Sequence, residues 1–123
     1  CIAQRATIAA VSAPTSKIQY MVDEFNKRRG LILSLLSKIP GFKLNKPQGA
    51  FYVFPDVSSY FGKIIKGKTI ENTNDFALLL LEEAHVATVT GEAFGNSNCI
   101  RISYAASEDE IKTAVKRIKN ALI

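Results

Sequence analysis

Residues 86–106 limit the possible folds more than any other stretch, because they read as a strand, a loop and a second strand in immediate succession. Val86 and Val89 bracket a short β-prone run that breaks at Gly91. Positions 93–98 are loop-like, with Gly95, Asn96 and Asn98 able to take positive φ. Residues 99–104 then alternate. Ile100, Ile102 and Tyr104 point one way while Cys99, Arg101 and Ser103 point the other, since side chains on a strand repeat every two residues. Arg101 is therefore expected opposite two isoleucines, on a rigid element just after a glycine-containing loop.

A guanidinium held in this way is a natural receptor for a small acid. It is planar, stays charged at any working pH, and its fork of donors matches a carboxylate. The alternation by itself admits a second reading, in which Arg101 lies on the solvated face of a half-buried strand. The pattern leaves both open.

The same residues resemble the C-terminal signature of the pyridoxal-phosphate-dependent class I aminotransferases, most closely the aspartate aminotransferase type. The matching positions are Val86-Ala87, Gly91, Phe94-Gly95 and the run Ile100-Arg101-Ile102-Ser103-Tyr104-Ala105. A second match is the run from Pro47 through Gln48, Gly49, Ala50, Phe51, Tyr52 and Val53 to Phe54. Thr90 departs from the proline common before the glycine, and residues 96–98 lack a further glycine that is frequent there. The likeness covers essentially the whole chain. It implies an α+β fold, with helices packed on a small, mainly antiparallel sheet, as in the small domain of the fold-type I transferases. It also implies that Arg101 binds the substrate α-carboxylate, and that Gly49 and Phe51 help shape the substrate pocket. Amino acids and 2-oxo acids are the implied substrates, a preceding large domain and a homodimer the implied partners, and pyridoxal phosphate the implied cofactor of the full-length enzyme. None is expected to bind this chain alone.

With 123 residues, one core suffices, and the chain is expected to be a single small domain whose residues 1–13 form a connecting helix from the large domain. Its opening residues carry neither an initiating Met nor a signal pattern, so it reads as a piece of something longer. No run approaches the ~20 apolar residues of a membrane span, so a soluble protein is expected, and two cysteines far apart in sequence make reduced thiols in a cytoplasm the default expectation. Cys1 and Cys99 form no disulfide framework, and Cys99 is expected to be a small apolar filler. The net charge of +5 comes without any nucleic-acid-binding motif, so the lysines and arginines are read as solvated faces.

Along the chain, residues 2–11 read as a helix stopped near Pro14, and Ser16 with Gln19 offers a capping box for a second helix over residues 17–38. Its apolar stripe is Ile18, Met21, Val22, Phe25, Ile32, Leu36 and Ile39. Residues 42–44 and 50–54 are strand candidates, the second with both faces covered, and residues 55–68 read as loop or short helix. A helix over residues 75–84 is capped by Asn72, Thr73 or Asn74. Its apolar-all-round run, residues 77–81, predicts burial on more than one side, and His85 is expected to interact with its terminal carbonyls. Ser107 with Glu110 is a capping box that opens the last helix, whose inward stripe is Ile111, Ala114, Val115, Ile118 and Leu122.

Transamination needs a lysine that holds the cofactor covalently and a cradle for its phosphate. Ser16-Lys17 opens a helix and Ser37-Lys38 precedes Pro40-Gly41, and neither carries the residues that follow the family's cofactor lysine. A charge-assisted hydrogen bond contributes about 1.5–3 kcal/mol, whereas a 1 mM dissociation constant requires about 4.1 kcal/mol. The chain alone is thus expected to be inactive. The substrate amino acid is not encoded here. A stand-alone α+β module that binds small carboxylates or regulates through them is the alternative.

Overall fold

The computed structural model describes residues 1–123. The elements run α1 (Ile2–Ser12), a 3₁₀ turn (Thr15–Lys17), α2 (Gln19–Leu36), β1 (Tyr52–Val53), a second 3₁₀ turn (Ser58–Tyr60), β2 (Ile64–Ile65), β3 (Lys68–Thr69), α3 (Thr73–Ala84), β4 (Val89–Thr90), a third 3₁₀ turn (Gly91–Phe94), β5 (Ile100–Ser103) and α4 (Glu108–Leu122). Strands β1, β5 and β4 form an antiparallel sheet with β5 in the middle, and β2 and β3 form a separate hairpin. Helices α2, α3 and α4 pack together, α4 touching both of the others. The α+β arrangement of helices on a small antiparallel sheet is the one expected.

Register decides which residues enter the core. Val53 pairs with Ile102 and Thr90 with Ile100, and directly paired residues share a face of the sheet. Val53, Ile100 and Ile102 are buried against Ile32, Leu36, Leu80, Ile111 and Ile118 of the helices. The other face carries Tyr52 paired with Ser103 and Val89 paired with Arg101. Cys99 is buried, as expected of a small apolar filler, at the point where a bridge to Asp56 precedes β5.

Helix α4 forms as its sequence dictates. The Ser107 hydroxyl receives the Glu110 amide, and the Glu110 carboxylate receives the Ser107 amide at 2.8 Å, so two donors of the first turn are satisfied. Lys27 of α2 binds Glu108 at 2.6 Å and fixes α4 against its neighbour at the rim.

Several local expectations are corrected. No capping box forms at Ser16 and Gln19: Pro14 leads into a 3₁₀ turn, and α2 begins after Ile18 without a side-chain cap. Only the second half of its stripe is buried, through Ile32, Leu36 and Ile39, while Ile18, Met21 and Val22 stay exposed. Residues 42–44 contribute a single bridge, Lys43 to Asp56. β1 is an edge strand rather than a central one covered on both faces: Val53 is buried, but Tyr52 and Phe54 on the opposite face are only half-buried. Within residues 55–68, read as loop or short helix, Ser58–Tyr60 do form a short 3₁₀ turn, but Ile64–Ile65 pair with Lys68–Thr69 in the β2–β3 hairpin around Lys66 and Gly67, both at positive φ. In α3, Leu79 and Leu80 are buried but Leu78 and Leu81 are exposed, so the apolar run faces the core on one side only. Asn72 is the residue that caps α3, accepting the Asn74 and Asp75 amides. At its other end His85 takes a left-handed backbone conformation, and the Val86 N–H that follows donates to Leu80 O at 3.1 Å, so the helix is closed by backbone rather than by the imidazole.

Candidate functional site

The residues preceding Arg101 explain how it is aimed. Gly91 N–H donates to Cys99 O at 2.7 Å and Asn96 N–H donates to Gly91 O at 3.0 Å, closing the loop onto the start of β5. A Cβ on Gly91 would lie 2.2 Å from Asn96 O and 2.4 Å from Cys99 O, both backbone atoms, so only glycine fits. Gly95 turns the chain at φ 81°, the one residue between 93 and 98 at positive φ. This latch brings the Phe94 ring over β5.

Arg101 is half-buried on the outer face, neither splayed into solvent nor locked in an ion pair. Its guanidinium carbon stands 4.2 Å from the Phe94 ring centroid and 4.5 Å from that of Tyr52. The chain's ion pairs draw their cations from Lys27, Arg28, Lys43, Lys68 and Lys112, so Arg101 holds no carboxylate. Aromatic faces attract the cation without using its N–H donors, and the fork stays available to an incoming acid.

The second predicted region lies beside it. Gly49 and Phe51 line a groove of ≈ 430 Å³ against the exposed half of α2, together with Phe25, Arg29 and Tyr104. Arg29 donates to Pro47 O at 2.9 Å, and Tyr104 donates its hydroxyl to Ala50 O at 3.0 Å and its amide to Phe51 O at 2.9 Å. The turn is thereby tied both to α2 and to the end of β5. The Phe51 ring lies against Tyr52, tilted by 52° with centroids 4.5 Å apart, and Tyr52 in turn faces Arg101. Phe51 thus stands one ring away from the guanidinium, while Gly49 forms the open lip of the groove. Tyr52 and Phe94 are the residues that the sequence reading missed. The signal was the alternation in residues 51–54, which places Tyr52 and Phe54 on the face opposite Val53.

The side chains present do not fit pyridoxal phosphate. No lysine lines the groove, and Lys68, the one half-buried lysine, is held by Glu82 and Glu83. No group of histidine, cysteine and acidic residues is placed to hold a metal. Both cysteines are free, and burial pushes the Cys99 thiol above its ordinary value, so it is kept protonated. No helix is long and apolar enough to cross a membrane.

Residues 2–118 match the family model for aminotransferase class I and II. The chain is 43% identical over 126 residues to a bifunctional aspartate aminotransferase and glutamate/aspartate-prephenate aminotransferase of Petunia hybrida, covering 99% of this chain and 26% of that protein. It is 43% identical over 121 residues to an aspartate aminotransferase of Rhizobium meliloti, covering 98% of this chain and 30% of the relative. A crystal structure of the aspartate aminotransferase from Rhizobium meliloti superposes with a TM-score of 0.92 at 42% identity, over 98% of this chain and 30% of that one. A Thermus thermophilus aspartate aminotransferase variant gives a TM-score of 0.78 at 33% identity, over 98% and 31%. The chain thus spans under a third of the length of these relatives. With the sequence, the sheet topology and the family model in agreement over nearly every residue, this chain belongs to the class I and II aminotransferases.

Proposed function

We propose that this chain supplies the substrate-gripping small domain of an aspartate-type aminotransferase, which moves an amino group between an amino acid and a 2-oxo acid through pyridoxal phosphate. The observation that carries the reading is the Arg101 guanidinium, held against two aromatic rings with no acid of its own. In that role Arg101 receives the substrate α-carboxylate through two parallel N–H bonds, and Gly49 and Phe51 bound the space where the remainder of the substrate lies. The cofactor belongs to a large domain that the longer relatives carry in addition to the part matched here. Closing the small domain against it would exclude water and orient the α-carbon proton. In the family such an enzyme works as a homodimer, and we extend that expectation to the full-length protein.

Because Arg101 alone offers less than the free energy of a millimolar complex, the chain by itself is proposed to be inactive. The test is steady-state turnover of the 123-residue chain with pyridoxal phosphate, an amino acid and a 2-oxo acid. No turnover is expected, and measurable turnover overturns the division of labour. Equilibrium dialysis with labelled amino acids should likewise show no binding at millimolar concentration. Tight binding there would favour the stand-alone carboxylate-binding module.

A further inference from the structure

Phe94 is an aromatic ring that the core does not explain. It is 48% exposed, and besides the Arg101 guanidinium the ring it faces is Phe54, edge-on at 6.4 Å between centroids. The Tyr52 ring, on the adjacent strand β1, also faces the guanidinium, its centroid 4.5 Å from the guanidinium carbon. We infer that Phe94 and Tyr52 are positioning residues: they clamp the Arg101 guanidinium so that its N–H edge alone is open to a planar carboxylate. The inference rests on the reading of Arg101 as the carboxylate receptor.

The geometry gives each part a job. An arginine on an open strand face samples many rotamers, and ordering it on binding lowers affinity. Two rings at 4.2 and 4.5 Å restrict it beforehand and attract the cation without occupying a donor. Each ring also shields the part of the guanidinium it faces, and a carboxylate approaching the edge can accept two parallel bonds in the plane of the fork. The backbone enforces the arrangement. Phe94 is carried by the turn that Gly91 latches to Cys99, two residues ahead of Arg101, so the ring and the guanidinium share one rigid frame.

Two measurements test this. In the 123-residue chain, the Arg101 Nε–H proton should be shifted upfield by ring currents in a ¹H–¹⁵N spectrum, and Phe94→Leu should move it toward the position of a free arginine. A wild-type signal already at the free position overturns the clamp. In the full-length aminotransferase, Phe94→Leu and Tyr52→Leu should each raise KM for both the amino acid and the 2-oxo acid about two- to tenfold, the cost of immobilising one long side chain on binding. kcat should stay within about twofold, because the contact is the same in the ground and transition states. Phe94→Tyr should restore KM, which a loss of overall stability would not permit. An unchanged KM, or a fall in kcat alone, in Phe94→Leu overturns the inference where Arg101→Leu still impairs the enzyme. If Arg101→Leu is itself without effect, the fault lies with the carboxylate reading, while the spectroscopic result continues to judge the clamp.

Discussion

Tyr104 donates its hydroxyl to the carbonyl of Ala50 at 3.0 Å, joining the end of β5 to the turn that opens the substrate groove. This bond couples the two stretches of sequence that carry the functional reading. Tyr104 is buried to 2% exposure, and its amide also donates to Phe51 O at 2.9 Å, so the turn follows the strand that bears Arg101.

Tyr104→Phe keeps the ring and its packing and removes only that hydroxyl bond. The expected cost is about 1 kcal/mol, seen as a fall in Tm of roughly 3–5 °C. A variant with unchanged denaturation would show that the tie contributes nothing. Ala50 itself sits at φ 58°, a left-handed conformation that strains an L side chain. Ala50→Gly should therefore stabilise by about 0.5–1 kcal/mol, after the extra entropy of the unfolded glycine is deducted.

Two glycines of the candidate site should differ sharply in their response to the same change. Gly91→Ala would set a methyl 2.2 Å from Asn96 O and 2.4 Å from Cys99 O, with backbone on both sides that cannot yield cheaply. A loss of about 3 kcal/mol or more is expected from urea denaturation. Gly49→Ala meets nothing within 4 Å, so its stability should stay within about 0.5 kcal/mol of the wild type.

Acid should destabilise the protein through a few identified carboxylates. Hydrogen bonds from Ser107 hold Glu110 below its ordinary value, the bond and charge of Lys27 do the same for Glu108, and the Ser58 hydroxyl does so for Asp56. A lowered folded value means that the folded state binds fewer protons than the unfolded one as pH falls through the carboxylate range. The stabilisation is complete above the ordinary carboxylate range, about pH 4–4.5. It is lost as pH falls through the lowered values. Glu110→Gln retains an accepting oxygen for the Ser107 amide but does not titrate, so Tm plotted against pH should fall less steeply on the acid side. An identical acid limb would remove Glu110 from the titration.

The parts legible in the sequence are those fixed by local chemistry. Ser107 and Glu110 announce the start of α4, and the alternation around Arg101 places Ile100 and Ile102 inward because a strand leaves them no other choice. Other features depend on partners distant in sequence. The β2–β3 hairpin turns at Lys66, a residue that lacks the Asn or Asp usual in such a turn, so its residues read as loop. Leu78 and Leu81 are as apolar as Leu79 and Leu80, yet α4 covers only one side of α3, and composition does not say which. Arg101 was identifiable by type and position, whereas the rings around it come from β1 and from the turn before β5 and meet only in three dimensions.

The most direct test is kcat/KM of Arg101→Leu in the full-length aminotransferase. Removing the cation leaves the substrate carboxylate desolvated and unpaired, which costs about 2–5 kcal/mol, so a loss of at least about thirtyfold is predicted, with a raised KM. A kcat/KM equal to that of the wild type would contradict the account, because it would leave the clamped guanidinium without a substrate to hold.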